Sequence, residues 1–145
     1  MSKPLPKLTD IPTCAELGSI GVDVPDWLAA LEAAFGPSAS RRFLEAFAGR
    51  EVNIPSGNVR GTALDRACGP RAARWLQKEL GRGKFRVPMA LASTTARRRF
   101  VILSHLAAGR SLEATAAAAQ CHTRTVSAMK TRLRAEGRLS ERGTP

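Results

Sequence analysis

The chain has no CxxC pair, no apolar run near the ~20 residues that a membrane span needs, and only 12 acidic residues in 145. Each shortage removes a class of function. The cysteines, Cys14, Cys68 and Cys121, are three in number and far apart. That argues against a disulfide framework and suits reduced thiols in a cytoplasmic setting. Cys121-His122 is at most half of a metal site, with only His105 and two distant cysteines to complete it, so neither metal nor cofactor is expected. No glycine-rich phosphate loop, nucleophile motif or obvious carboxylate pair is present, and an enzyme is not expected. The opening MSKPLPKLTDIP has no apolar signal-peptide core.

Positive charge is what the chain has in excess. Lys and Arg number 23, the net charge is +11, and the pI is about 11.2. The excess is uneven. Residues 1–40 hold two lysines against five acids, a net −3, which leaves +14 for the remainder. A basic balance of this kind points to a polyanionic partner, most simply nucleic acid. Apolar residues at 43% allow a modest core, and the length suits one or two small domains.

The stretch SLEATAAAAQCHTRTVSAMKTRLRAEGR, Ser111 to Arg138, fits the helix-turn-helix spacing. That pattern wants a small residue where two helices cross, a tight turn four residues on, and an aliphatic residue six further. Ala116, Gln120 and Val126 fill those places. The second helix is predicted over Thr123 to Ala135, with Thr123 as its cap. Val126, Met129 and Leu133 recur at helical spacing and face inward. Thr123, Arg124, Ser127, Ala128 and Thr131 are left on the opposite face, where a helix in the major groove would meet base edges. Arg suits the O6 and N7 of guanine, and Ala or Thr methyls suit thymine. Lys130, Arg132, Arg134 and Arg138 flank this face and suit phosphates, and Arg110 ahead of the motif is a further backbone candidate. A support helix is predicted just before, from Ala96 to Ala108, capped by Thr94 or Thr95 and ended by Gly109. Phe100, Leu103, Leu106 and Ala107 form its core stripe. Arg97, Arg98 and Arg99 fall in its first turn, where cations oppose the helix dipole; phosphate contact is the use expected of them.

An internal repeat precedes this region. LEAAFGP at Leu31 aligns with LDRACGP at Leu64, and the match runs on without a gap through Val52, Ile54 and Pro55 against Phe85, Val87 and Pro88. The offset is constant at 33, the separation of Gly36 and Gly69, as duplication of one supersecondary unit would give. Each copy reads as helix, Gly-Pro, helix, Gly, strand, Pro. The strands, Glu51–Ile54 and Lys84–Val87, alternate polar with apolar residues. They can pair with each other or with copies in a second subunit. Upstream, Thr13 and Glu16 have capping-box spacing for one helical turn to Leu17, and Pro25 opens a helix lined by Trp27, Leu28, Leu31 and Phe35.

The expected fold is mainly α. Residues 1–24 form a flexible arm with a short helical turn. Residues 25–88 form the duplicated region with a small two-stranded sheet. Residues 93–137 form a three-helix, helix-turn-helix domain, and 138–145 a flexible tail.

With both features in view, the chain resembles the Mor transcription activator family, phage and prophage regulators of the Mu-like middle-operon type. FLEAFAGREVNIPSG is similar to that family's helix, glycine, strand, proline signature. ARRRFVILSHLAAGRSLEATAAAAQCHTRTV is similar to its C-terminal helix-turn-helix. The resemblance covers about residues 25–137. It implies an N-terminal dimerisation domain, binding of a homodimer to a dyad site, activation through RNA polymerase, and a nucleoid-associated place in a bacterial cytoplasm. It maps base contacts onto Arg124, Ser127, Ala128 and Thr131. It also sets the strands near the DNA backbone, where Arg50, Lys84 and Arg86 are the cations in reach. The chain departs from the family pattern in carrying the helix-strand unit twice, and in having Gln120 and His122 at the turn. The competing readings are a small-terminase-like DNA-packaging subunit and an interaction module that inhibits a protein partner.

Overall fold

In the computed structural model, residues 4–139 are described, and they are mainly helical with one two-stranded antiparallel sheet. The local signals act as helix starts. The Thr13 hydroxyl accepts from the Glu16 N–H (3.2 Å) and the Glu16 carboxylate from the Thr13 N–H (2.9 Å), a closed capping box. It opens α1 (Cys14–Ser19), which runs past Leu17 through Gly18. Pro25 precedes α2 (Asp26–Phe35), and α3 (Pro37–Phe47) leads to β1 (Glu51–Ile54). Thr62 caps α4 (Ala63–Cys68), which is followed by α5 (Pro70–Leu80) and β2 (Gly83–Arg86).

The two repeat-related units turn their corners alike. Gly36 and Gly69 sit at φ 89° and 86° with ψ 168° and 162°, a region that a side chain strains to enter. A proline follows each glycine as the first helical residue, where its missing N–H costs nothing.

In the sheet, Glu51 stands opposite Arg86, Val52 opposite Phe85, Asn53 opposite Lys84 and Ile54 opposite Gly83. Val52 and Phe85 are also the repeat-equivalent pair, and the offset carries Glu51–Arg86 onto Lys84–Asn53. An approximate two-fold axis therefore passes between Val52 and Phe85. β2 is displaced by one residue from the expected Lys84–Val87. Val87 still joins the ladder, donating to the Arg50 carbonyl (3.0 Å) and accepting from the Gly49 N–H (2.9 Å). The strands thus find their partners within one chain.

Leu28, Leu31, Phe43, Leu44, Leu64 and Leu76 are fully buried. Trp27 packs edge-on against Phe43 of its own unit (5.4 Å) and Phe85 of the other (5.2 Å), a favoured aromatic geometry. Glu32 ties three helices together. Its carboxylate accepts from the Cys14 N–H at the start of α1 (3.0 Å) and from the Ser40 hydroxyl of α3 (2.7 Å).

The expected flexible arm is instead packed down. Ile11, Pro12, Leu17 and Ile20 are buried. His105 Nε2 lies 3.1 Å from the Pro6 carbonyl, and Arg41 Nε donates to the Ile11 carbonyl (2.9 Å). These apolar residues are too sparse to register as an amphipathic element, yet they suffice to cover the helices beneath. At the other end Leu139 is buried as well. Residues 1–3 of the expected arm and 140–145 of the expected tail lie outside the described residues.

Two outcomes follow from this packing. Glu32→Ala removes a charged acceptor from two donors and lowers stability by about 1.5–3 kcal/mol in denaturant titration; a midpoint unchanged from wild type would remove Glu32 as a node. Burial pushes the Cys14 thiol up to about 12, reinforced by the Glu32 charge. Burial also pushes Cys68 up to about 11, with Arg42 opposing and Asp65 adding to the rise. Because the thiolate is the nucleophile, iodoacetamide at neutral pH spares both thiols in the folded protein and labels both after unfolding, as read by peptide mass.

Candidate nucleic-acid interface

Three helices close the chain: α6 (Thr94–Ala107), α7 (Leu112–Ala119) and α8 (Thr123–Ala135). The cap of α6 is Ser93, whose hydroxyl accepts from the Ala96 N–H (3.1 Å), one residue ahead of the expected Thr94 or Thr95. Phe100, Leu103 and Leu106 face inward as expected, but Ala107 is exposed, while Val101, Ile102 and His105 are buried. The stripe is wider than one face because α6 packs against α1 as well as α7 and α8.

The early cap also moves Arg98 and Arg99 past the first turn and leaves Arg97 at its end. All three are half-buried and engaged within the fold. Arg97 Nε donates to the Ala92 carbonyl (3.0 Å), and Arg98 Nε to the Ala119 carbonyl (3.0 Å) at the end of α7. A cation there suits the negative end of the helix dipole. Arg99 pairs with Glu136 just beyond α8 (2.5 Å). Of the guanidinium groups expected on phosphates, Arg98 and Arg99 hold α6 to α7 and to the segment after α8, while Arg97 closes the start of α6 itself.

Ala116 and Ala119 are buried where α7 meets its neighbours. The turn to α8 closes with two hydrogen bonds, Gln120 N–H to the Ala117 carbonyl (3.3 Å) and Cys121 N–H to the Ala116 carbonyl (3.0 Å). This is the Schellman arrangement, which places one residue in the left-handed region. That residue is Gln120, at φ 53° and ψ 51°. Among the described residues it is the one non-glycine with positive φ. α6 and α8 end on the same pair of bonds with Gly109 and Gly137.

On α8, Val126 and Leu133 are fully buried and Met129 is half-buried. The cap residue is His122, whose side chain makes no capping bond; Thr123, expected as the cap, is the first helical residue. The first turn contains no acid. Arg124, Ser127, Ala128 and Thr131 are exposed on one side of the helix, with Thr123 half-buried at its edge. The Thr131 hydroxyl donates back to the Ser127 carbonyl (3.2 Å). Arg132 is exposed on one flank, and Lys130 and Arg134 are half-buried on the other, Arg134 with an interaction of its own. Arg110 is exposed before α7. Arg50, Lys84 and Arg86 are exposed at the sheet, apart from the α8 row in the fold's element order.

Sequence reasoning missed the clasp at the end of α8. The Glu136 carboxylate receives Arg99 and also Arg138 Nε (2.9 Å). Arg138 reaches on to the carbonyls of Gly18 (3.2 Å) and Ser19 (2.8 Å). Glu136 and Arg138 are two residues apart, but Arg99 lies 37 residues from Glu136 and Gly18 lies 120 from Arg138, so no local spacing announces the clasp. Comparison with protein-family models, curated proteins and solved structures finds no match for the chain.

The left-handed Gln120 carries a backbone cost that glycine escapes. Gln120→Gly raises stability by about 1 kcal/mol in denaturant titration; a loss would show that the Gln120 side chain contributes more than its backbone strain costs.

Proposed function

We propose that the chain is a sequence-specific, double-stranded-DNA-binding transcriptional regulator, in which α7, the turn and α8 act as a helix-turn-helix. The observation that carries this reading is the exposed row Arg124, Ser127, Ala128 and Thr131 on a helix whose opposite face is locked by Val126 and Leu133. The row starts in the first turn of α8, the part of a recognition helix that reaches base edges. Arg124 is of the residue type that pairs with guanine O6 and N7, and Ala128 and Thr131 suit thymine methyls. The N-terminal N–H groups of α8 lack a side-chain cap and suit a phosphate. Arg110, Lys130, Arg132 and Arg134 supply cations on either side. From Ala114 to Leu139 the one acid is Glu136, already neutralised by two arginines.

The finer reading rests on the resemblance to the Mor family. By it the protein is a phage- or prophage-type activator that binds an inverted repeat as a homodimer and contacts RNA polymerase on the bacterial nucleoid. In that reading the intrachain sheet leaves the subunit contact to another surface.

The test is sequencing of genomic fragments retained by the full chain at near-physiological salt, with Arg124→Ala in parallel. Shared peaks containing an inverted repeat are expected. The variant loses about 1–3 kcal/mol at one base position. Equal retention of all fragments by both proteins would sink the sequence-specific reading. No retention by either would turn the reading to a protein partner. A ring-sized mass in solution would turn it to DNA packaging.

A further inference from the structure

The two repeat-related units share a scaffold but not a charge. From Trp27 to Asn53 the first unit holds three cations and three acids. From Arg60 to Arg86 the second holds eight cations and two acids, Asp65 and Glu79, and all eight cations are exposed. None of the eight belongs to an ion pair among the described residues.

On α5, Arg71, Arg74 and Lys78 stand at intervals of three and four residues. They form one stripe opposite the buried Ala72, Ala73 and Leu76. Arg82 follows just past the helix end. The equivalent positions of the first unit are Ser38, Arg41, Glu45 and Gly49. The first unit folds into the same helix, glycine-proline corner and strand without that charge, so folding does not require it. Arg71 moreover sits in the first turn of α5, where no acid offsets it and the helix dipole disfavours a cation. Gln77, between Arg74 and Lys78 in sequence, anchors the helix by donating to the Pro55 (2.6 Å) and Gly57 (2.8 Å) carbonyls. The stripe is therefore a fixed, unneutralised row of cations on a rigid helix.

We infer that the α5 stripe of Arg71, Arg74 and Lys78, continued by Arg82, is a second contact for the phosphate backbone of duplex DNA, made without regard to sequence. The inference rests on the DNA-binding reading of α8 and adds a surface to it. Side chains of this kind, exposed on a helix with no fork partner, suit the regular negative charge of a backbone. The stripe then supplies affinity and salt dependence while α8 supplies choice of site.

The test compares the full chain with the variant Arg71→Ser/Arg74→Gln/Lys78→Gln on a random-sequence duplex and on a site selected by wild type. Binding is measured by fluorescence anisotropy across a salt series. The slope of log affinity against log salt shrinks by about 0.9 for each lost phosphate contact, roughly 2.7 for three. Affinity falls on both duplexes, and their ratio is unchanged. Circular dichroism reports whether the variant remains folded. Lys78→Glu, which installs the residue of the first unit, serves as the milder change and lowers the slope by at least about 0.9. An unchanged slope in folded variants, with site preference still lost in Arg124→Ala, would overturn the stripe and leave the α8 reading standing. Failure of wild type to bind any duplex at low salt would overturn both.

Discussion

A four-residue strand packed on a core leaves backbone groups that need a partner along its edge. In this chain β1 and β2 meet that need for each other. The rest of the N-terminal region is arranged around the meeting. Each strand is delivered by a helix pair whose corner is a left-handed glycine followed by proline. Once the strands pair, the helices must lie over the sheet's apolar side. Val52 and Ile54 are buried on that side, and Trp27 fills the gap between the units by touching Phe43 and Phe85 together. The hydrogen-bonded ladder sets the register, and the aromatic contact makes the register cooperative with the core.

The C-terminal region hangs on α6. It is buried on more sides than a surface helix, because it receives α1 along with α7 and α8. Its arginines reach outward from that position. Arg98 closes the end of α7 and Arg99 holds the segment after α8. The exposed row on α8 is thereby fixed at three places: by Val126 and Leu133 beneath it, by the strained turn at Gln120 before it, and by Glu136 after it.

Much of this was legible where the cause is local. Thr13 with Glu16, the Gly36-Pro37 and Gly69-Pro70 corners, and the alternation of Glu51 to Ile54 each act within a few residues, and each forms the element its spacing predicts. The exposure of Arg124, Ser127, Ala128 and Thr131 followed from helical periodicity alone. Legibility ends where the cause is distant. Glu32 meets Cys14 across 18 residues, and Arg138 meets Gly18 across 120. The docking of residues 4–24 depends on a surface built by α6, which the segment itself does not encode. The stripe of α6 widens to Val101, Ile102 and His105 because a helix buried on several sides has no single apolar face, while Ala107, its last residue, is exposed. Even the Ser93 cap shows the limit: Ser93, Thr94 and Thr95 are chemically alike as caps, and tertiary fit chooses among them.

The near two-fold relation about Val52 and Phe85 has a consequence for what substitutions can do. In an assembly of two identical chains, every change appears on both sides of the axis. A change that helps one side and harms the other is then not separable. Here both halves belong to one polypeptide, so each position on either side of the axis varies alone. Glu51 and Lys84 occupy equivalent places with opposite charge, as do Glu45 and Lys78. One half can remain a neutral scaffold while its twin takes on a surface of its own, with the shared geometry left intact.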